Sequence, residues 1–446
     1  MKTTKLFLYT ILLMVSALSF EACKKEDSAT PSGTGTYKYD YRDTMYANIQ
    51  NLYLWFDKLP AAADFKPQSY PATDPSQMID KIRTYSPLNA QNQNIDRWSF
   101  VMTRAEYEAD QKGQVTGLFG FSRGFVSDSD LRVAYVLPNS PFDQAGVTRG
   151  WRIMSVNGVS ATSANVSALN TEFGKSSGKF VFQDTAGNQK ELTITRADFT
   201  TSPVQHRSIQ KVDGKNVGYI VFSEFTDKGK QDLTSAFSYF QQNGGIQELV
   251  IDLRYNGGGD PNVAAHFANQ FVPTSADGKV FYTYQFNSKN TQRNSTVRVS
   301  KSGSLSLSRV FFITTQGSAS ASELLINGVK PFMQTILVGD RTHGKPVGML
   351  GFYVDKYIPF AISFKTVNAN GEGDYFDGLP AQKQEVDDLT RNFGDPAEKC
   401  LADVLYYVKN GVLPATQNQR LATQIVEANE RLSQERTRTD MTVIQK

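Results

Sequence analysis

The chain has 446 residues, with 47 Lys and Arg against 44 Asp and Glu, a formal net charge of +3. That balance excludes a dedicated nucleic-acid surface, and the length exceeds one ordinary core, so two or three domains are expected. Two cysteines (Cys23, Cys400) and three scattered histidines (His206, His266, His343) form neither a disulfide framework nor a metal-ligand cluster, and neither metal nor cofactor is expected.

In chain order, Lys2 and Lys5 precede an apolar run from Leu6 to Phe20 that is too short to span a bilayer, the pattern of an export signal over residues 1–22. Because the run closes on Ala22-Cys23, it resembles a bacterial lipoprotein signal, with Cys23 the lipidated residue. The following "CKKED" resembles Bacteroidota-type lipoproteins, and residues 23–36, rich in Gly, Ser, Thr and Pro, read as a flexible tether. The resemblance implies a bacterial cell-envelope protein, held by its lipid anchor to the outer membrane on the periplasmic or surface side.

Residues 37–110 read as a helical domain: Met45, Ile49, Leu52 and Phe56 share one helical face before Pro60, and "SQMIDKIRTY" gives a second helix. Residues 111–203 change to short alternating strands such as "LRVAYVL", "GKFVFQD" and "KELTITR". Within them Ser140-Pro141, Ala145-Gly146, Gly150 and Val156-Asn157-Gly158 resemble the PDZ module of bacterial proteases, with Trp151 where related modules carry Asp. The resemblance implies that Leu118, Phe119, Gly120 and Phe121 form a loop whose N–H groups receive a peptide's terminal carboxylate while the peptide adds a strand to a sheet edge.

From residue 204 to 414 strand and helix alternate: "NVGYIVF", "DLTSAFSYFQQNGG", "ELVIDLR", "DPNVAAHFANQF", "RVFFITT", "ASELLINGVKPF" and "QTILVG" predict an α/β core. Asp260 suits a helix N-cap and Pro261 the first helical position. Both the "YNGGG" turn and the serine segment "TTQGSASASE" follow strands, where sites gather in such folds. A serine at a helix N-terminus meets free N–H groups that favour negative charge, yet Ala321 stands where a Gly-x-Ser-x-Gly elbow needs its second glycine.

Ser320-Ala321-Ser322-Glu323, with Gly344-Lys345 placing a lysine twenty-five residues after Ser320, and Asp252-Leu253-Arg254-Tyr255-Asn256-Gly257-Gly258 upstream, resemble the C-terminal-processing, or tail-specific, serine peptidase family. The resemblance implies a ClpP/crotonase-like α/β core preceded or interrupted by the PDZ domain, and a serine endopeptidase acting through an acyl-enzyme. Ser320 would be the nucleophile and Lys345 the general base, with N–H groups of Ala321 and of Gly257 or Gly258 as the oxyanion hole. Substrates would be proteins held near their C-termini or in unfolded segments through the PDZ groove.

Ser318 and Ser322 read instead as framing and helix-capping residues, and His343, two residues from Lys345, would point across an extended chain. Many members carry a glutamine where this chain has Met349, which leaves the group that orients Lys345 open among Thr342, Ser322 and a backbone carbonyl. That departure keeps one alternative in view, a catalytically impaired, PDZ-bearing peptide-binding surface lipoprotein. Residues 415–446 carry an amphipathic stripe of Leu421, Ile425, Ala428 and Leu432, expected either to dock on the body of a monomer or to pair two copies in a homodimer.

Overall fold

The computed structural model describes residues 38–89, 92–111, 115–415, 423–432 and 442–444. The signal, the tether, Cys23 and Leu421 lie outside the described residues. Among those described, no helix is long and apolar enough to cross a membrane.

The core sheet runs in the order Val204–Val212, Lys215–Phe222, Glu248–Asp252, Arg309–Thr314, Gln334–Gly339 and Lys383–Gln384. Its first two strands form an antiparallel hairpin closed by Asp213 and Gly214, both at positive φ (49° and 77°), as a two-residue turn of matching twist requires. All later pairings are parallel. Parallel strands are covered on both faces, and alternate side chains show it. Ile220, Phe222, Leu249 and Ile251 pack with the helices Asp227–Gln242, Pro261–Phe271 and Ala321–Val329. Tyr219, Val221, Val250 and Phe311 pack instead with Leu401, Val404 and Val408 of the helix Lys399–Asn410, beside the buried, unbridged Cys400. The Asp260 side chain accepts from Asn262 N–H at 2.8 Å with Pro261 next, so the expected cap is formed.

A second sheet joins Ser295–Arg298, Val280–Phe286, Tyr357–Val367, Val347–Phe352 and Thr442–Ile444, and Phe100–Thr103 pairs with Tyr357–Val367. Sequence reading missed it, because its strands are scattered along the chain, with elements of the core between Ser295–Arg298 and Val347–Phe352. The helices Tyr41–Leu52 and Ser76–Arg83 bury Met45, Ile49, Leu52, Met78 and Ile82 on this sheet, in one cluster with Met349, Ile358, Phe360 and Ile362. Leu54 N–H also donates to Ile362 C=O at 2.8 Å.

Residues 115–199 form a β-rich unit whose sheet runs Phe121–Ser127, Asp130–Val136, Arg152–Val156, Ser177–Gln183, Gln189–Thr195. Its core is aromatic: Phe119, Phe121, Phe142, Phe180 and Phe182 interlock, with Phe121 and Phe142 stacked at 3.8 Å between centroids. Trp151 belongs to that core and meets the Phe182 ring edge-on at 5.7 Å. Ile425, Ala428 and Leu432, on and just after the helix Thr423–Arg431, are buried in the same cluster. Burial of Ile425 and of Leu432 contributes roughly 1.5–3 kcal/mol each.

Candidate active site

Three adjacent parallel strands deliver the three sequence motifs to one end of the core sheet. Glu248–Asp252 runs into the glycine turn, its neighbour Arg309–Thr314 into the serine turn, and the next strand, Gln334–Gly339, into the Gly344-Lys345 segment. Parallel neighbours end on the same side, so topology alone juxtaposes residues far apart in the chain.

The serine turn is held under strain. Ser320 has φ 55° and ψ −112°, a region that residues with a Cβ rarely adopt, and such a residue persists only where its surroundings over-determine it. Those surroundings are the glycine turn. Ser318 Oγ donates to Leu253 C=O (2.7 Å), Ala319 N–H and Ser322 Oγ donate to Asn256 C=O (3.0 and 2.9 Å), and Thr315 Oγ1 donates to Arg254 C=O. Ser318 thus frames the turn, whereas Ser322 braces the two turns together and does not cap its helix.

Asn256, fully buried, is the hub of the glycine turn. Its Nδ2 donates to Phe222 C=O at 3.0 Å and its Oδ1 accepts from Gly258 N–H at 2.9 Å. Gly258 lies against the serine at φ 116°; a Cβ there would stand 2.7 Å from Ser320 Cβ and 3.1 Å from Ala321 N. Gly257 is exposed, with open space where its Cβ would be. Ala321 begins its helix, where an N–H has no intrahelical acceptor.

Glu323 joins serine to lysine. Its buried carboxylate accepts from Ser320 N–H (3.0 Å) and Lys345 N–H (2.8 Å) through Oε2, and from Gly344 N–H (2.6 Å) and the Thr342 hydroxyl through Oε1. Burial pushes its carboxyl above the ordinary glutamate value, opposed by the Thr342 hydroxyl and the three N–H groups. Lys345 is itself buried, at 8 % exposure. Gly344, at φ 89°, brings the backbone so close to Phe376 C=O that a Cβ would lie 2.3 Å from it.

His343 is turned elsewhere: its N–H donates to Ser318 C=O (2.9 Å) and its Nε2 accepts from Trp98 Nε1–H (3.0 Å). Both hydroxyls considered as holders of Lys345 donate their proton elsewhere, which leaves their oxygens able to accept. That of Thr342 donates to Glu323 and accepts from Leu379 N–H, and that of Ser322 donates to Asn256. Met349 lies in the apolar core of the second sheet, 7 % exposed.

Sequence reasoning quoted Glu323 without giving it a role, although Ser-x-x-Glu at a helix start is a capping-box pattern that brings the fourth residue back to the first residue's N–H. It also missed an ionic network behind the glycine turn. Arg254, fully buried, donates to Asp252 (2.8 Å), Glu398 (2.8 Å) and Asp387 (2.7 Å). Arg149, from the β-rich unit, donates to Tyr255 Oη (2.7 Å) and Asp387 (2.5 Å). Burial alone would raise the Asp387 carboxyl, but Arg149 and Arg254 overcome it and hold it down at about 2. The loop Leu118, Phe119, Gly120 and Phe121 runs into the first strand of the β-rich sheet, with Phe119 and Phe121 in its core. A Cβ on Gly120 would fall 2.2 Å from Ser140 Cβ.

Residues 216–364 match the model of peptidase family S41. The carboxyl-terminal-processing protease of Synechocystis sp. (strain ATCC 27184 / PCC 6803 / Kazusa) is 27 % identical over 222 residues, 49 % of this chain and 50 % of that protein. The carboxy-terminal processing protease CtpB of Bacillus subtilis (strain 168) is 29 % identical over 224 residues, 49 % of this chain and 45 % of its own. The chain thus spans about half the length of the curated relatives it matches. A solved structure described as an S41 protease from Bacteroides fragilis NCTC 9343 superposes with a TM-score of 0.66 at 24 % identity, over 84 % of this chain and 98 % of that one, a likeness of fold alone. The fold is therefore the mixed α/β fold of S41 proteases, and the segment that carries Gly258, Ser320, Glu323 and Lys345 matches peptidase family S41, which makes the chain similar over about half its length to the carboxyl-terminal-processing proteases.

Proposed function

We propose that the chain is a serine endopeptidase of the C-terminal-processing kind, cleaving proteins near their C-termini or in unfolded segments by an acyl-enzyme route. The observation that carries the reading is the Glu323 carboxylate, which fixes the backbone of a strained serine to that of a buried lysine while Gly258 lets the glycine turn lie close against that serine. Ser320 Oγ attacks the scissile carbonyl and Lys345 Nζ takes its proton, then returns it to the leaving amine. Water hydrolyses the ester by the reverse sequence. Ala321 N–H receives the oxyanion together with Gly257 or Gly258; since Gly258 already donates to Asn256, we favour Gly257 as the partner.

Residues 111–203 act in this reading as a PDZ domain. A peptide adds as a strand to Phe121–Ser127 and its carboxylate meets the N–H groups of Leu118, Phe119, Gly120 and Phe121. Cys23 carries the lipid that holds the protein to the cell envelope. The test is incubation of the full chain, and of Ser320→Ala and Lys345→Ala in parallel, with an unfolded protein. Fragments from the unsubstituted chain alone, with an acyl adduct on Ser320, are expected. Cleavage unaffected by either substitution would overturn the assignment, and peptide binding without cleavage by any form would favour a binding lipoprotein.

A further inference from the structure

The groove assigned above to a substrate tail is already filled. Phe121–Ser127 is an edge strand, paired among the described residues only with Asp130–Val136. Its outer edge presents the N–H and C=O of Phe125, the groups to which an added strand would bind. Both are taken by one side chain of the same polypeptide: Phe125 N–H donates to Asn429 Oδ1 (2.7 Å), and Asn429 Nδ2 donates to Phe125 C=O (3.1 Å). A carboxamide thereby reproduces the donor and acceptor of a peptide unit. On the opposite wall Asn170, in the helix Val166–Phe173, donates to Arg431 C=O at 2.8 Å. At the end of the groove Gln424 donates to Asp128 at 2.9 Å. Between these polar contacts Ile425, Ala428 and Leu432 are buried with Phe121, Phe125 and Phe173.

We infer that the helix Thr423–Arg431 is a built-in competitor for the peptide groove, so that a substrate tail with an apolar last residue and a free carboxylate binds only by displacing it. The inference rests on the PDZ reading of residues 111–203 and adds to it an occupied, closed state. The C-terminal segment also reaches the catalytic side, because Thr442–Ile444 pairs in parallel with Val347–Phe352, the strand that begins two residues after Lys345. Competition of this kind lowers apparent affinity by the fraction of molecules whose groove is open.

The test uses the full chain carrying Ser320→Ala, so that bound peptide is not cut, and compares it with the same chain carrying Ala428→Asp, which puts a charge on the buried face of the helix. Asn429→Ala is the milder second variant, and thermal melting checks that each is folded. The probe is a short fluorescein-labelled peptide ending in valine with a free carboxylate, read by anisotropy against its C-terminal amide. Both variants are expected to bind the free-acid peptide about tenfold tighter or more than the chain with its helix intact, and the amide only weakly. Equal affinity with and without the substitutions overturns the proposal, as does absence of binding by every form. In either case Ser320- and Lys345-dependent cleavage of an unfolded protein remains a separate result, so failure here is distinguishable from failure of the peptidase reading.

Discussion

Glu323→Gln replaces one carboxylate oxygen by NH2 at the joint between serine and lysine. The carboxylate accepts two donors on each oxygen, and a carboxamide keeps one oxygen while turning an NH2 towards the other pair. Facing Ser320 and Lys345, the NH2 would oppose two backbone N–H groups. Facing Gly344 and Thr342 it opposes only one, because the Thr342 hydroxyl is free to rotate, so this orientation is favoured. It still forfeits a charge-assisted bond, about 1.5–3 kcal/mol, and leaves the Gly344 N–H buried without its acceptor, about 1–3 kcal/mol. Relief from burying a charge, which raises this carboxyl in the first place, offsets part of that sum. A net loss of about 3 kcal/mol is expected, or roughly 100-fold in kcat if it falls on the alignment of Ser320 with Lys345. Steady-state cleavage of an unfolded protein should show kcat falling with KM little changed, and denaturant unfolding should show the part of the loss that falls on the folded ground state instead. A Gln variant with near-normal kcat and stability would refute the claim that this carboxylate aligns the site.

Gly258→Ala would place a methyl 2.7 Å from Ser320 Cβ, at a φ that alanine disfavours, and should lower kcat about 100-fold or more while peptide binding, measured on the inactive chain, is unchanged. Met349→Gln restores the residue many family members carry, but here it buries a carboxamide among Met45, Ile358 and Ile362. Unfolding free energy should fall by about 1–3 kcal/mol, and a gain in kcat would show that the side chain turns to Lys345 instead. Asp387 has its carboxyl depressed to about 2, so its stabilising contribution, about 2 kcal/mol, is present above its unfolded value near 4 and lost as pH falls to 2. Asp387→Asn should flatten the dependence of stability on pH across that window, as read by denaturant titration at each pH.

Elements with a local signature were legible. The strands Lys215–Phe222, Glu248–Asp252, Arg309–Thr314 and Gln334–Gly339 followed from apolar runs between turns, and the cap at Asp260-Pro261 from residue type. The serine and lysine motifs came from resemblance, and the structure brings their backbones onto one carboxylate. Features made by partners distant in the chain were not legible. No periodicity in the sequence pairs Val280–Phe286 with Tyr357–Val367, Arg149 with Asp387, or Asn429 with Phe125.

The sequence by itself determined which residues carry charge, conformational freedom and nucleophilic chemistry, because those properties belong to side chains and to short stretches of backbone. It also determined the alternation that makes an α/β core. Tertiary structure alone decided that Glu323 bridges Ser320 and Lys345, that Met349 is core, and that the helix after residue 422 lies on Phe121–Ser127. Each of these depends on which strand edges and apolar faces meet, a choice made by burial summed over the whole chain rather than by any local pattern.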